Sequence, residues 1–418
     1  MAPGLPSSRG NGSLSVIGAS SRACSSGTCG QEVYGSVRTS AEGVLPRDVS
    51  RVGWANSRQP SHPGGTVPRP LVLLIGGRST EHDASLHSYR HVLAEVGAEP
   101  ERHEVVAVVY IRRLGGAQVF RRAPWPVDEA DLLAGPEIPT IDAVRFLAEC
   151  GAFVFSLLHG TEGEDGCWQG VAEMFGLRGS FGPVLGSALG MDKSLQSAVA
   201  ASVIPDLRCP PVTVVRRDDI ASGVDRALAE LGDRAVVVKP NRMGASLLIE
   251  KLTDWDGADL LKAVSAIHEY DPEALVQEFV HGDEHSCGVV EQHGEPVALP
   301  VLRIQTEHGF FGHAEKHRHG LAGVRVETSA VARRVQRVSE LLFRELKLFG
   351  WSRFDFIVSG GELHFLETNT IPGLMSGSLF PAMLRAGGRS IGDLIDACVD
   401  AAHGRPAVSK HLAYRIEH

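Results

Sequence analysis

The chain has 418 residues, of which 43% are hydrophobic and 22% charged, as is typical of a globular protein with two or three domains. Its 41 basic and 50 acidic residues give a net charge of -9, which argues against a general nucleic-acid binder, because such a protein presents a basic face. No apolar run approaches the roughly 20 residues that a membrane helix needs, so we predict neither a nucleic-acid nor a membrane partner.

The first 68 residues differ in composition from the rest of the chain. They contain 13 Ser, 11 Gly and 6 Pro without any helical or strand period, which predicts a disordered extension. The Arg- and Ser-rich start is weakly typical of a transit peptide, but Glu32, Glu42 and Asp48 argue against that. A dispensable extension is therefore the preferred interpretation.

The cysteines indicate a reducing compartment. There are seven, an odd number, and they are scattered and form no C-x-x-C pair, which fits neither a disulfide scaffold nor a zinc site. We therefore predict a cytoplasmic protein. Cys150, Cys167, Cys287 and Cys398 lie in apolar stretches and are interpreted as small core residues.

An α/β domain is predicted to begin at Arg69. Its apolar strands at 70–75, 105–111 and 152–158 alternate with helical segments, which indicates a largely parallel sheet. The carboxyl ends of such strands form the functional edge of the sheet. Two loops follow strands at that edge, at 76–85 and 159–169.

The remainder of the chain reads as strand-rich after a helix at 191–201 and chain breaks at Pro205, Pro210 and Pro211. Helices are expected at 257–269 and 331–348, where apolar positions recur at helical spacing. The predicted strands are 212–215, 235–239, 247–249, 275–279, 286–290, 297–304, 354–358 and 363–367.

Two segments suit the binding of a ligand by backbone groups. His159-Gly-Thr-Glu-Gly-Glu-Asp-Gly166 follows an apolar strand, and its glycines allow backbone N–H groups to approach a ligand. Lys239 ends a strand and precedes a loop with Gly244, which suits phosphate, although Lys precedes the glycine, unlike in a P-loop. The alternatives are an acidic surface loop and a lysine that extends from a strand edge.

A third segment suits a metal ion. Arg353-Phe-Asp355-Phe and Glu367-Thr-Asn369 place carboxylates on two strands whose alternate residues are apolar. Burial of these acids costs free energy unless a cation lies between them. Two carboxylates and an amide carbonyl suit Mg²⁺ that also binds phosphate. The alternative is an ion pair between Asp355 and Arg353.

Together these segments resemble the D-alanine–D-alanine ligases of the ATP-grasp superfamily. The resemblance rests on an ordered set of motifs at the family's spacing, and residues 1–68 have no counterpart in it. The matching stretches are 76–85, 158–170, 186–193, 238–244, 282–284, 353–355 and 367–381.

The resemblance implies an α/β (α+β) ATP-grasp fold in which an N-terminal parallel-sheet domain precedes two sheets that clamp ATP. The implied domains are a disordered extension at 1–68, a substrate domain at 69–187, a central subdomain at 188–281 and a C-terminal subdomain at 282–418. The implied activity is an ATP-dependent C–N ligase that forms an acyl phosphate, which an amine then attacks. Its partners are small amino acids, and a homodimer is implied by analogy.

The resemblance also implies the roles of single residues toward ATP and its metal. Lys193 and Lys239 bind the phosphates of ATP, and Lys316, in a lid at 310–319, reaches the γ-phosphate. Two Mg²⁺ ions, or Mn²⁺ in their place, are held by Asp355, Glu367 and Asn369. The adenine meets Gln277, Phe279 and Val280, and the ribose meets Glu284.

Substrate contacts follow from the same resemblance. Glu81 binds the ammonium of the first amino acid, and His159 and His317 line the substrate site. Arg353 and the Gly373 N–H form the oxyanion site. The second substrate's carboxylate is held by Ser378 and Leu379.

The chain departs from the family pattern near the first substrate. The usual Gly-Ser-Ser-x-Gly loop reads Gly244-Ala245-Ser246-Leu247-Leu248, and His317 replaces the usual lid tyrosine. Gln277 replaces a glutamate at the adenine, but its carbonyl can accept the same hydrogen bond. The His-rich lid is interpreted as a polar loop rather than a metal site. We therefore expect ATP binding to be kept and first-substrate selection to be altered.

Three functional hypotheses remain. The first is a carboxylate–amine ligase with altered first-substrate specificity, which makes a dipeptide, a depsipeptide or a cyclised amide. The second is a housekeeping D-alanine–D-alanine ligase of peptidoglycan synthesis, and the third is a nucleotide-binding regulatory protein without ligase activity. Of the 41 basic residues only seven are lysines, which leaves 34 arginines, and Lys193, Lys239 and Lys316 fall at phosphate positions. A compact ammonium suits these positions better than a guanidinium fork.

Overall fold

The computed structural model describes residues 67–244, 247–306 and 322–405. Residues 1–66, which make up most of the predicted extension, lie outside the described residues. The predicted lid with Lys316 and His317 also lies outside them, as do Ala245 and Ser246.

The first sheet has four strands in the order β3-β2-β1-β4, with β1 (Arg69–Gly76), β2 (His103–Ile111), β3 (Ala117–Phe120) and β4 (Phe153–Ser156). Strand β1 pairs parallel with both β2 and β4, and only β3 is antiparallel to its neighbour. Residues 71–75 are fully buried because helices cover both faces of such a sheet. The accompanying helices are α1 (His82–Ala98), α2 (Glu129–Ala134), α3 (Thr140–Glu149) and α4 (Cys167–Phe175).

Two helices rather than one connect this sheet to the next. They are α5 (Val184–Met191), which was not predicted, and α6 (Lys193–Val203), which confirms the predicted helix at 191–201 within two residues. Asp192 interrupts the helix with φ -92° and ψ 101°, and its carboxylate accepts a hydrogen bond from the Leu195 N–H, which caps α6. The proposed domain boundary between residues 187 and 188 therefore falls inside α5.

The second sheet is antiparallel, in the order β5-β8-β6-β7, with β5 (Val212–Arg216), β6 (Val236–Pro240), β7 (Glu250–Leu252) and β8 (Glu273–Glu278). Helices α7 (Ile220–Leu231) and α8 (Gly257–Ile267) cover the face that carries Val236, Val238 and Val276. The predicted strand at 247–249 is wrong, because Leu247 and Leu248 form a turn before β7 begins.

The third sheet contains β9 (Asp283–Gln292), β10 (Glu295–Ala298), β11 (Leu302–Thr306), β12 (Ala322–Val326), β13 (Trp351–Ser359) and β14 (Glu362–Asn369). The order is β12-β11-β9-β13-β14, and β10 also pairs with β9. The predicted strand at 297–304 is two strands, because Pro300, which has no backbone N–H, lies between β10 and β11. The remaining helices are α9 (Ala330–Glu345), α10 (Leu379–Ala386) and α11 (Ile391–Gly404).

The two faces of this third sheet differ in composition. Phe354, Phe356 and Phe365 are fully buried in a cluster that includes Val335 and Leu342 of α9. Side chains alternate along a strand, so the residues between these phenylalanines face the other way. The second face is mixed, because it carries polar residues of β13 and β14 beside apolar residues of β9, β11 and β12 that pack into another core cluster.

The cysteines follow the predicted core positions in part. Cys287 and Cys398 are buried and Cys150 is half-buried, but Cys167 is exposed at the first position of α4, where the core interpretation is wrong. No helix within the described residues is long and apolar enough to cross a membrane.

Candidate active site

Four polar side chains form a square on the open face of β13 and β14. Asp355 pairs directly with Glu367, and Arg353 pairs with Asn369, in the antiparallel register of the two strands. Arg353 and Asp355 are two positions apart, so they lie on the same face, as do Glu367 and Asn369. Directly opposed carboxylates repel each other, which favours a cation between them.

Arg353 supplies one positive charge to this square. Its Nη2 lies 2.8 Å from Asp355 Oδ2, and Ser286 Oγ donates to Asp355 Oδ1 at 2.5 Å. Burial alone lowers the pKa of Arg353, but the charges of Asp355, Glu367 and Glu284 outweigh burial and hold that pKa above its ordinary value. The ion pair that the sequence left as an alternative is thus present, and Arg353 stays charged.

Lys193 supplies the second positive charge and connects two sheets. Its Nζ donates to the Met243 carbonyl at 2.8 Å, in the loop after β6, and lies 3.6 Å from Glu367 Oε2 on β14. The lysine is the first residue of α6, where Asp192 caps the helix. A single ammonium therefore lies between the predicted phosphate loop and the predicted metal ligands.

The side chains of the square also fit the coordination that Mg²⁺ prefers. The buried Asn369 Oδ1 has no hydrogen-bond partner, although buried polar atoms are rarely left unpaired. Within the described residues no group of three or more His, Cys, Asp or Glu could hold a metal. Mg²⁺ commonly takes one or two carboxylates and completes its shell with substrate phosphates and water. Asp355, Glu367 and the unpaired amide oxygen fit that mode.

Lys239 and Gln277 share the face of the second sheet that α7 and α8 leave uncovered. Val237 pairs with Gln277 and Lys239 pairs with Leu275, so these positions face away from the apolar cluster beneath the helices. Both polar side chains are nonetheless buried. The face that the helices leave uncovered therefore carries two buried polar side chains beside apolar ones such as Leu275.

Three further residues predicted to contact ATP lie where β8 ends and β9 begins. The Phe279 N–H donates to the Ala235 carbonyl at 2.8 Å, and the Lys251 ammonium lies 3.6 Å from the centre of the Phe279 ring. Val280 follows and is half-buried. Glu284 lies two residues before Ser286 on β9, so the two side chains lie on the same face of the sheet. Ser286 is the residue that pairs with Asp355.

Glu81 lies between the two loops at the edge of the first sheet. It precedes α1 directly, and its carboxylate lies so close to Gly160 and Gly244 that a Cβ on either would meet it. The distances from such a Cβ to Glu81 Oε1 are 2.8 Å at Gly160 and 2.3 Å at Gly244. The predicted ammonium ligand is therefore adjacent to the predicted phosphate loop.

Leu248 has a backbone conformation that favours glycine. Its φ of +55° lies in the left-handed region, which costs a residue with a Cβ about 1–2 kcal/mol. Leu248 is therefore a site of local backbone strain next to the predicted phosphate loop.

His159 and Glu164 hold the turn after β14 from the first sheet. His159 is buried, and its Nδ1 and Nε2 lie 2.9 Å from the Ile371 carbonyl and 3.1 Å from Ser88 Oγ. Glu164 Oε2 accepts from Thr370 Oγ1 and the Ile371 N–H, each at 2.9 Å. Both ring nitrogens of His159 are engaged, so these contacts support a positioning role, and direct substrate contact stays a prediction.

The predicted oxyanion and second-substrate residues lie close together. A Cβ on Gly373 would lie 3.5 Å from Ser378 Oγ. Ser378 precedes α10, and its side chain makes no cap hydrogen bond to that helix, so the hydroxyl is available to a ligand. Leu379 is half-buried and packs against the core.

Sequence reasoning missed two residues of this site. Ser286 contacts Asp355, and its place two residues after Glu284 on a strand was the signal that could have identified it. Glu164 lay within the predicted loop, but sequence spacing gave no sign that it reaches Thr370, because that contact spans 206 positions.

Comparison with known proteins identifies the family. The model described as D-ala D-ala ligase C-terminus matches residues 205–400, and the D-ala D-ala ligase N-terminus model matches residues 70–180. The D-alanine–D-alanine ligase of Corynebacterium urealyticum is 31% identical over an alignment that covers 79% of this chain and 97% of the relative. The chain belongs to the D-alanine–D-alanine ligase family.

A further member agrees with this assignment, and two solved structures share the fold. The D-alanine–D-alanine ligase of Desulforudis audaxviator is 32% identical, with 81% of this chain and 99% of the relative covered. The VanG D-Ala:D-Ser ligase from Enterococcus faecalis has a TM-score of 0.67 at 25% identity, covering 80% of this chain and 99% of that one. A D-alanine–D-alanine ligase from Bacillus anthracis, complexed with ATP, gives 0.57 at 21% identity over 80% of this chain and 97% of that one.

Membership confirms two predictions at the level of the family. The fold is the ATP-grasp fold, and the ligase is an ATP-dependent C–N ligase. The roles of the single residues, the domain boundaries and the substrates stay predictions.

Proposed function

We propose that this ligase joins two amino acids through an acyl phosphate and releases ADP and phosphate. The observation that carries the proposal is the square of Arg353, Asp355, Glu367 and Asn369, with Lys193 between it and the loop after β6. Facing carboxylates with an unpaired amide oxygen and nearby ammonium groups suit phosphoryl transfer, in which charge compensation and positioning supply most of the catalysis.

The first step activates a carboxylate at this square. We propose that Lys193 and Lys239 bind the phosphates of ATP, with Lys316 at the γ-phosphate. Asp355, Glu367 and Asn369 would hold Mg²⁺, which neutralises charge on the transferred phosphoryl group when bound. The adenine would meet Gln277, Phe279 and Val280, and the ribose Glu284.

The second step attaches the amine. Glu81 accepts the ammonium of the first amino acid, while Ser378 and Leu379 hold the carboxylate of the second. The amine of the second amino acid attacks the acyl phosphate, and the Arg353 guanidinium with the Gly373 N–H stabilises the tetrahedral oxyanion. Exclusion of water protects the acyl phosphate from hydrolysis, a role that we assign to the lid at 310–319 with His317.

We further propose that the first-substrate site accepts something other than D-alanine. Glu81 lies against the loop that begins at Gly244, in which Ala245 lacks the hydroxyl of the family pattern and Leu248 is strained. Changes in that loop alter the surroundings of the amine ligand while the residues proposed for ATP are retained. A cytoplasmic homodimer completes the proposal by analogy with the family.

The test combines ADP release with mass spectrometry of products. The ligase receives ATP, Mg²⁺ and a mixed pool of D- and L-amino acids and hydroxy acids. We expect ADP and one dominant condensation product that contains a first residue other than D-alanine. ADP release without any condensation product contradicts the ligase proposal, and D-alanyl-D-alanine as the only efficient product contradicts the altered specificity.

A matched pair of variants on β14 tests the proposed metal site. Glu367→Gln should lower kcat by about 100-fold or more, because it weakens a ligand that offsets phosphoryl charge. Glu362→Gln on the same strand should stay within about twofold, because Glu362 is half-exposed and faces Arg208 at 3.6 Å. Equal losses in both variants contradict the assignment of Glu367.

A second candidate is the housekeeping D-alanine–D-alanine ligase, which the names of the relatives favour. Complementation of a bacterium depleted of its own ligase distinguishes it, because growth requires D-alanyl-D-alanine. A regulatory nucleotide-binding protein without ligase activity would bind ATP and form no ADP with any carboxylate substrate.

A further inference from the structure

Helix α1 reaches the turn after β14 with two polar side chains. Ser88 Oγ accepts a hydrogen bond from the Leu374 N–H at 3.1 Å, and His91 Nδ1 donates to the Leu374 carbonyl at 2.6 Å. The two residues are three positions apart, so they lie on one side of the helix. Leu374 directly follows Gly373, so this helix holds both backbone groups of the residue next to the proposed oxyanion donor.

A ring of hydrogen bonds closes around the same turn. The Ile371 carbonyl can only accept, so His159 Nδ1 carries the proton that it receives at 2.9 Å. Burial lowers the pKa of His159 and keeps its imidazole neutral, which leaves Nε2 without a proton. Ser88 Oγ therefore donates to Nε2 at 3.1 Å while it accepts from the Leu374 N–H. With the protons placed in this way, each hydrogen bond of the ring has one donor and one acceptor.

Burial makes this ring costly to break. Ser88 and Leu374 are fully buried, and His159 is 3% exposed. A buried group that loses its partner pays its full desolvation cost, because water cannot replace the lost hydrogen bond. The ring therefore fixes the backbone from Ile371 to Leu374, which includes the Gly373 N–H.

Docking of α1 does not require these polar groups. The helix already buries Leu86, Tyr89 and Val92 in the core cluster that also contains Ile371 and Leu374. Apolar residues in place of Ser88 and His91 would pack the helix without fixing the orientation of a peptide group. The polar pair adds direction, since hydrogen bonds constrain angles as well as distances.

We infer that Ser88, His91 and His159 are positioning residues that hold the Gly373 N–H at the oxyanion. The inference rests on the proposed oxyanion role of Gly373. Helix α1, which carries Ser88 and His91, begins directly after Glu81, so one rigid element would set the first-substrate ammonium site and the oxyanion donor relative to each other.

The experiment compares Ser88→Ala with Ser339→Ala as a matched control. Ser339 is also fully buried within a helix, but its Oγ contacts the Val335 carbonyl of its own α9 and Cys287 on β9 rather than the turn after β14. We expect S88A to lower kcat about 10–100-fold while KM for ATP changes less than twofold, since misplacement of a donor by about 1 Å costs up to about 100-fold. S339A should leave both constants within about twofold.

A second pair isolates the hydrogen bond from the bulk of the side chain. His91→Asn keeps an amide N–H that can reach the Leu374 carbonyl, and His91→Leu does not. We expect H91N to retain most of the wild-type kcat and H91L to lose about 10-fold. Equal kcat values in H91N and H91L overturn the role of His91.

Amide hydrogen exchange without substrates separates this inference from the proposed function. S88A should speed exchange at Leu374 at least tenfold relative to S339A, because the N–H loses its acceptor. Unchanged exchange at Leu374 in S88A overturns the ring whatever the activity. Absence of ATP turnover by the wild type contradicts the proposed function instead, and leaves the exchange result as the test of the ring.

Discussion

The Glu81 carboxylate lies so close to Gly244 that a side chain at residue 244 would displace it. A Cβ on Gly244 would come within 2.3 Å of Glu81 Oε1, closer than atoms that do not share a bond or a hydrogen bond can come. The carboxylate and the loop after β6 therefore fit together only while residue 244 is glycine. The proposed ammonium site therefore depends on the absence of a side chain at residue 244 as much as on the Glu81 carboxylate.

A substitution at Gly244 tests this dependence. Gly244→Ala should displace the Glu81 carboxylate and raise KM for the first amino acid by about 10–100-fold, with thermal stability little changed. The matched control is Gly97→Ala at the end of α1, where a Cβ would meet no atom within 4 Å. Steady-state kinetics with the first amino acid varied measures both, and an unchanged KM in G244A would refute the proposed place of Glu81.

Pairing of elements assembles the remaining charges. Strands β13 and β14 bring two acids, an amide and an arginine onto one face, and α6 brings Lys193 to them. The cation–carboxylate contacts of this cluster are mostly buried, so they are less screened by salt than surface pairs. The pairing of these strands and the position of α6 thus determine which charges can act on one substrate.

Helix α11 is fastened to the first sheet by a second charge cluster. Asp396 Oδ1 lies 2.7 Å from Arg69 Nη1 and 3.0 Å from His103 Nε2, and Asp396 Oδ2 lies 2.7 Å from Arg102 Nη2. Although burial acts in the opposite direction, hydrogen bonds from His103 and Arg102 lower the pKa of Asp396 to about 2. The lowered pKa means that the folded state prefers the ionised carboxylate.

A pH-dependent loss of stability follows for Asp396→Asn. The stabilisation by the carboxylate is fully present above its ordinary pKa of 3.8 and disappears as the pH falls toward 2. We expect D396N to lower the free energy of unfolding by about 1–3 kcal/mol at pH 7, and the gap to the wild type to shrink near pH 2.5. Urea denaturation at both pH values measures this gap.

Asp400→Asn is the control for this cluster. Asp400 lies 4.0 Å from Arg69 and is about half-exposed, so its loss should cost less than about 0.5 kcal/mol. A gap between D396N and the wild type that stays constant from pH 7 to pH 2.5 would argue against the cluster as the cause.

The described part of the chain contains three sheets, one mostly parallel and two antiparallel. The mostly parallel sheet supplies the loops with Glu81 and His159, and the two antiparallel sheets supply the faces that carry Lys239 and Asp355. Turns and ion pairs join them, such as the contacts from Glu164 to Thr370 and from Lys193 to Glu367. The site therefore requires all three sheets at once.

A truncated chain tests which part of the molecule the reaction needs. The matched family regions begin at residue 70 and β1 begins at Arg69, so a protein of residues 67–418 retains all of them. We expect its kcat/KM for ATP to stay within about twofold of the full chain's. A loss of more than about tenfold would show that residues 1–66 take part in the reaction.

Much of the fold and site could be predicted because the signals were local. Apolar runs predicted three of the four strands of the first sheet, all except β3, and the alternation around Asp355 and Glu367 placed both acids on strands. Errors arose at single sites: Pro300 splits a predicted strand, and Leu247 and Leu248 form a turn where a strand was predicted. Cys167 lies in an apolar stretch but at an exposed helix start, which composition could not reveal.

The sequence by itself determined the family, the class of reaction and the residue types of the site, because motif order and side-chain chemistry are properties of the chain. The tertiary structure alone decided that Arg353 contacts Asp355, that Lys193 reaches both Met243 and Glu367, and that α1 holds Leu374. Ser88 and Leu374 are 286 positions apart, and hydrogen bonds depend on distances of about 3 Å that spacing along a chain does not encode.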